Sequence, residues 1–572
     1  MGSAEEGWAR PSADDHQPHD RSGYDPKTSI YHSLHHLPHH LTIPTSPNLD
    51  AATYVLSQFP PAHQAHTRVA LIDSADPRRR LTYTQLHFSV RALAAAFRHG
   101  LGLRKGHVVL LLSPNSILYP TISLAVISLG AVLTTANPLS TAAEIARQVR
   151  DSGATIAVSA PEELYKLLPL ADGLHLHILL TTKDPRNSSL ISVEELLEGS
   201  EPLDSPPPEI AQSDTAAFLY SSGTTGVSKG VVLNHANLIS AVALFRWAVE
   251  SAGALGDVYL AFLPMFHIYG LACFALALLA AGVTTVVMPR FDFGAMLEAI
   301  HAHRVSHVPA VPPVLLALVK SAPGQCHDLS SLRRATSGAA PLSEEVAAEF
   351  RARFPWVELR QGYGMTESSG AGTIVVGGWQ GKERAGSVGQ LFPTFRAKVA
   401  DAETGGALGP NERGEIWLKS PTVMKGYLGN EEATAATVDA DGWLRTGDLG
   451  YFDEDGFVYI VDRMKELIKH NGYQVAPAEL EAILVSHPDI LDAAVIPRED
   501  EATGQIPVAY VVRKPDSNLE QSQVIQFVAS QVAPYKKIKK VSFIDAIPKS
   551  AAGKILRKQL VALQQQQQLS KL

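Results

Sequence analysis

Cysteine is scarce in this chain. Its 572 residues include two, Cys273 and Cys326. Two thiols cannot build a disulfide framework, and a chain of this length can bury enough core to need none. The pattern fits a reducing compartment. Basic charge is also short: 49 Lys and Arg stand against 57 Asp and Glu, a net charge of −8. Nucleic acid is therefore not expected as a partner, because phosphate backbones call for a basic surface. Charged residues make up 19% and hydrophobic ones 45% of the chain, which excludes a wholly disordered protein. The first six residues carry acids and no apolar core, so no secretory signal is read there.

Two uncharged runs, 117–136 and 258–289, have the length of a bilayer span. Pro120 and Gly130 interrupt the first. The second holds Pro264, His267 and Gly282 and ends in β-branched Val283–Val287. This reads as a buried helix, a turn and a buried parallel strand, and no membrane span is expected.

The length alone suggests about three to four domains. Residues 1–50 form a polar leader in which His32, His35, His36, His39 and His40 crowd together without a zinc-site spacing. The tail, 563–572, contains the run Gln564–Gln568 and stops at Ser570-Lys571-Leu572, a receptor-read peroxisomal address. Between them, helical and strand patterns alternate: a helix over 81–97, a strand over 108–112, a helix over 141–150, a strand over 155–158. Alternation of this kind predicts an α/β fold with parallel sheets. After about Val461 the pattern changes to a smaller α+β module, with helices over 479–485 and 524–532 and strands over 493–496 and 508–512.

One loop carries clear chemistry. The apolar strand 216–220 runs into Ser221, Ser222, Gly223, Thr224, Thr225, Gly226, Val227, Ser228 and Lys229. Glycines let the backbone turn and present N–H groups to phosphate oxygens. Hydroxyls add donors and Lys229 adds a cation. The spacing is not that of a P-loop, so a P-loop ATPase is disfavoured.

This loop resembles the signature of the acyl-adenylate-forming superfamily, which includes acyl-CoA synthetases, peptide-synthetase adenylation domains and beetle luciferases. Six further stretches resemble its motifs in order: Leu263–Gly270, Ser337–Pro341, Gln361–Glu367, Asp441–Asp448, Val461–Lys469 and Pro548–Lys558. Through 474–481 the chain is most similar to plant 4-coumarate–CoA ligases and their peroxisomal relatives. The resemblance implies a large N-terminal domain, 51–462, of two βα-layered subdomains plus a small distorted β-barrel. A smaller mobile α+β domain, 463–562, would follow.

It also implies a two-step reaction. A carboxylate attacks the α-phosphate of ATP to give acyl-AMP and pyrophosphate, and coenzyme A then displaces AMP. By resemblance, Ser221–Gly226 and Lys229 hold the β- and γ-phosphates. Gln361, Gly362, Thr366, Asp448 and Arg463 bind the rest of the nucleotide, and Glu367 holds Mg²⁺. Lys554 reaches the reacting carboxylate and α-phosphate. His267 gates the acyl pocket and the thiol path, while Tyr269, Ala339 and Gly362 line the acyl group. Lys465 is the hinge. Lys469 and Gln474 stand near the acyl-adenylate, and Arg290, Asn471 and Gly472 near coenzyme A. A monomer is expected, with the peroxisomal import receptor as protein partner. Taken singly, Asp448 reads as a turn residue, Glu367 as a helix N-terminal acid and Lys554 as a surface cation.

The chain departs from 4-coumarate–CoA ligases at three places. Asn471 stands where those enzymes have lysine. Ser368-Ser369-Gly370-Ala371 replaces a bulkier Ala-Gly-Pro-Val. Trp417 stands where cysteine is common. Among rival readings, a peptide-synthetase unit should carry a carrier domain, a luciferase-like oxidase should emit light with luciferin, and a catalytically dead scaffold has no use for Lys554, Glu367 and Asp448 together. The smaller wall at 368–371 predicts a longer or wider acyl group than a hydroxycinnamate. In a panel of acids read by mass spectrometry of the thioesters, 4-coumarate should not rank above every medium-chain or fatty acid.

Overall fold

The computed structural model describes residues 21–202, 208–221, 228–321, 327–376, 384–401, 403–470, 473–500, 503–515, 517–550 and 553–569. Two large sheets form the body. The first has Val108–Leu112 beside Val132–Ala136 and Ile156–Ser159, all parallel, and reaches the phosphate-loop hairpin of Thr215–Ser221 and Lys229–Asn234. The second has a parallel centre of Val258–Ala261, His307–Ala310, Arg334–Ser337 and Glu358–Gly364. The central strand 108–112 is buried at every position, which is why it reads as a continuous apolar run rather than an alternating one.

Local signals set the helix ends. Thr141 caps Ala142–Ser152 in a reciprocal box with Glu144, and Gly153 closes it at φ +66°. Thr82 and Gln85 do the same for Tyr83–Gly100. Both uncharged runs are core. Leu118–Ile127 is buried throughout, and so is the π-helix Gly270–Ala277, which leads into the strand Thr284–Val287. A side chain at Gly270 would lie 2.1 Å from the Pro264 carbonyl, so only glycine lets this helix pack down. Among the described residues no helix is long and apolar enough to cross a membrane.

A third, antiparallel sheet stands where the small barrel was expected. Its path runs from Tyr24–Asp25 through Ile30–His32, Arg396–Ala400, Gly414–Lys419 and Leu444–Phe452 to Val458–Arg463. It is joined to the second sheet by Val388 and Gly389, which exchange backbone hydrogen bonds with Val458. Two of its strands come from the polar leader, where composition showed no strand. Tyr31 is fully buried there and stacks on Phe452 at 4.1 Å.

The fourth sheet belongs to the small C-terminal module and pairs Ile490–Asp500 with Gly504–Arg513 over ten positions. Both strands are longer than their apolar centres suggested, because their polar ends pair as well. Helices Pro477–Ser486 and Gln521–Ala529 cover one face around Leu480, Leu484, Val524 and Val528. The module is tied internally by Arg557, whose guanidinium lies 2.8 and 2.9 Å from the Glu481 carboxylate and 3.1 Å from Glu466. It is tied to the large domain by Ala478 N–H donating to Asp462 at 3.0 Å and by Lys320 donating to the Ile490 carbonyl at 2.8 Å.

The Tyr31 ring fastens the leader strands, while its hydroxyl is buried without a partner. Tyr31→Ala should therefore cost about 3 to 5 kcal/mol. Tyr31→Phe should be neutral or slightly stabilising. Denaturant midpoints of the two variants test this.

Candidate active site

A cavity of about 790 Å³ opens between the two large sheets and is capped by the small module. Its mouth is polar. Ser221 ends the strand Thr215–Ser221, and Glu367 sits in the tight turn Thr366–Ser368 just after the strand Glu358–Gly364. Folding brings them together: the Ser221 hydroxyl donates to Glu367 Oε1 at 3.1 Å, and the Tyr427 hydroxyl donates to the same oxygen at 2.9 Å. Lys229 Nζ lies 4.8 Å from the centre of the Tyr427 ring. Tyr427 was not foreseen. It comes from a two-residue strand, Gly426–Tyr427, too short to leave a periodic signal.

Asp448 and Arg463 are direct neighbours in an antiparallel ladder. Arg463 Nε lies 3.4 Å from Asp448 Oδ1, and the Tyr363 hydroxyl donates to Oδ2 at 2.5 Å. Burial pushes the Asp448 carboxyl up from its usual range, while Arg463 and Tyr363 pull it back. The same contact raises the Tyr363 hydroxyl well above its ordinary value, after burial as the larger cause.

Lys554 enters from the small module. Its turn is pinned by Ser550 N–H donating to the Lys554 carbonyl at 2.7 Å and by Gly553 N–H donating to the Ser550 carbonyl at 2.8 Å. Gly553 adopts φ +76°, and a side chain there would lie 3.1 Å from Val311 of the large domain. Glycine thus satisfies both the left-handed turn and the close approach. Burial, with repulsion from Arg463, brings the Lys554 ammonium down to about 8, while Glu466, Asp448 and Glu367 oppose the shift. His267 also borders the cavity; burial and the Lys554 charge bring its imidazole down to about 4, so it is neutral at pH 7.

Below the mouth the walls become apolar. Tyr269 meets Phe245 edge-on at 6.0 Å. Ala339, at φ +67°, and Gly362 border the same space, as do Thr366 and Lys465. From Phe245 to Ala252 the cavity follows one helix for two turns, about 10 Å.

The other expected residues divide. Gln361 is buried but does not border the cavity. Lys469 is exposed on the strand Ile468–His470, paired with Gln474 and outside the cavity wall. Arg290 is exposed, 3.6 Å from Glu163 and 3.9 Å from Glu162, also outside the wall. Ser222, Gly223, Thr224, Thr225, Gly226, Asn471, Gly472 and Ser570-Lys571-Leu572 lie outside the described residues.

The donor set at the mouth is one carboxylate, Glu367, with hydroxyls from Ser221 and Thr366 nearby. Among the described residues no cluster of three or more His, Cys, Asp or Glu side chains could hold a metal by itself. One carboxylate fits Mg²⁺, a hard cation that keeps waters and takes its remaining oxygens from substrate phosphates.

The chain is similar to known proteins over nearly its whole length. Residues 60–428 match the family of AMP-binding enzymes, and residues 479–554 match the AMP-binding enzyme C-terminal domain. A probable CoA ligase of Humulus lupulus is 48% identical over 554 residues, covering 95% of this chain and 97% of its own. The peroxisomal OPC-8:0-CoA ligase 1 of Arabidopsis thaliana is 46% identical over 552 residues, covering 95% and 98%. Among solved structures, ATP-bound MatB of Rhodopseudomonas palustris superposes with a TM-score of 0.79 at 28% identity, covering 90% of this chain and 98% of that one. The o-succinylbenzoate coenzyme A synthetase of Bacillus subtilis, solved with ATP and a magnesium ion, gives 0.74 at 28% identity, covering 90% and 99%.

The lowered Lys554 value is open to direct measurement. Competitive acylation followed by mass spectrometry should show the Lys554 amine losing its proton with a midpoint near 8, below that of an ordinary lysine. Asp448→Asn removes a charge that favours the ammonium, so the midpoint should fall further.

Proposed function

This chain belongs to the AMP-binding enzyme family as an ATP-dependent, AMP-forming carboxylate–CoA ligase, and from that premise we propose a role for each group around the cavity. The observation that carries the assignment is the meeting of Lys554 and Glu367 at one mouth above an apolar tunnel, with Asp448 buried just behind the wall formed by Tyr363 and Arg463. A carboxylate attacking a triphosphate gathers negative charge, and positioned cations lower the cost of that approach. Lys554 contacts the reacting carboxylate and the α-phosphate. A flexible ammonium suits a charge that develops during reaction better than a rigid fork does. Asp448, held by Tyr363 and Arg463, accepts from the ribose hydroxyls. Ser221 to Gly226 and Lys229 hold the β- and γ-phosphates, Thr366 and Gln361 support the nucleotide, and Glu367 holds Mg²⁺. The ion supplies charge neutralisation between the phosphates.

The second step needs a different face. The small module turns about Lys465, a residue bordering the cavity between the two domains. Lys554 then withdraws, and Lys469, Gln474 and Gly472 approach the acyl-AMP. Neutral His267 clears the path of the thiol. Arg290 and Asn471 meet coenzyme A, and asparagine in place of lysine removes one cation from that contact.

The acyl group is longer or wider than a hydroxycinnamate. In support, Gly370 leaves open a space where a Cβ would stand 3.6 Å from Ile268 and 3.7 Å from Phe245. The tunnel beyond continues for two helical turns. The relative named for OPC-8:0 also favours this reading over 4-coumarate. That relative is peroxisomal by name, and Ser570-Lys571-Leu572 supports import of this chain into the same organelle.

Lys554→Ala tests the division of labour. Carboxylate-dependent ATP–pyrophosphate exchange should fall by orders of magnitude, while thioester formation from supplied acyl-AMP and coenzyme A should largely survive. Equal loss of both halves would contradict the role given to Lys554.

A further inference from the structure

Trp417 lies one bulge away from Asp448. The strands Gly414–Lys419 and Leu444–Phe452 pair Trp417 with Arg445 and Glu415 with Leu449. Between those pairs a single residue, Ile416, faces three: Thr446, Gly447 and Asp448. Asp448 is therefore carried on an irregular stretch that the ladder on this side does not hold. Irregularities of this kind re-aim side chains next to active sites. Gly447 permits the turn, with φ +70°.

Side chains replace the missing ladder bonds. The Thr446 hydroxyl donates to the Ile416 carbonyl at 2.6 Å and accepts the Asp448 N–H at 3.1 Å. Gly447 N–H donates to Glu415 Oε1 at 2.9 Å, and Trp417 Nε1–H donates to Oε2 of the same carboxylate at 2.7 Å. The Arg445 guanidinium lies 4.7 Å from the centre of the Trp417 ring, a contact that favours one plane for the indole. The Gly447 carbonyl in turn accepts Met464 N–H at 2.9 Å, beside Arg463. A line of contacts thus runs from Trp417 through Glu415 and Gly447 to both sides of the Asp448–Arg463 pair.

Glu415 sits where a carboxylate is costly. It borders the cavity, and a further negative charge there repels an arriving triphosphate. Its oxygens are engaged by a backbone N–H and an indole N–H, so the side chain works as a two-ended strut. Hydrogen bonds to an ionised acceptor are short and strong, which suits that task. Without the indole N–H, one oxygen is freed, the carboxylate can rotate and the hold on Gly447 slackens. Cysteine, common at this position in 4-coumarate–CoA ligases, has only a weak S–H donor and could not replace the indole.

We propose that Trp417 is a positioning residue for the nucleotide: acting through Glu415 and Gly447, it aims the Asp448 carboxylate at the ribose hydroxyls. This rests on the ribose role proposed for Asp448 above.

The test measures acid-dependent pyrophosphate release by the full chain with Mg²⁺, using ATP and 2′,3′-dideoxyATP as alternative nucleotides. The wild type should favour ATP in kcat/KM by about a hundredfold or more, because the analogue leaves the carboxylate without its partners. Trp417→Phe keeps a ring beneath Arg445 and removes only the N–H. It should lower kcat/KM for ATP and leave that for the dideoxy nucleotide nearly unchanged, shrinking the preference by about fivefold or more. The dideoxy rate thereby reports that the variant is folded. Glu415→Gln should shrink the preference likewise, and the double variant should go little further than the larger single effect, because both act through one contact. A merely structural role would lower both nucleotides in proportion and leave the preference standing, which would overturn the proposal. So would fully additive losses in the double variant, since Trp417 would then not act through Glu415. A wild type without preference for ATP, or an Asp448→Ala variant that keeps it, would instead overturn the ribose role of Asp448.

Discussion

The seating of the Gly553 turn against Val311 is the contact on which the rest of the site depends. Lys554 is carried by a domain other than the one that holds Glu367 and Asp448, and its chain reaches them only because that turn lies flush with the large domain. A side chain at 553 would come within 3.1 Å of Val311 while holding a left-handed φ, and both costs would act at once. The lowered proton affinity of Lys554 follows from the same contact, since burial is its largest cause.

Once the lysine is seated, the mouth becomes a closed electrostatic arrangement. Two buried carboxylates, Glu367 and Asp448, are each held by a tyrosine hydroxyl from a separate strand. Phenols suit this task. They donate one hydrogen bond and add no charge. Arg463 and Lys554 add the positive charge. Below them the walls turn apolar.

Much of this was legible in the sequence, and what was missed has physical reasons. Long periodic segments such as 81–97 and 141–150, with their capping boxes, appear within a few residues of where the pattern put them. Local motifs carried Ser221, Glu367, Asp448 and Lys554, because each sits in a short stretch of contiguous residues. The strands at 24–25 and 30–32 left no trace, since two or three residues cannot show a period and polar neighbours surround Tyr31. Tyr427 was invisible for the same reason. Arg360 and His307, which also border the cavity, were hidden differently. They come from strands about fifty residues apart and look like ordinary sheet residues until the fold brings both strands into one sheet.

The Arg557 clamp has a consequence of its own. It joins Glu466, one residue past the proposed hinge, and Glu481, on the first helix of the module, to the segment that follows Lys554. Under the proposed rotation about Lys465, the Lys554 turn would therefore travel with the body of the small module rather than swing on its own.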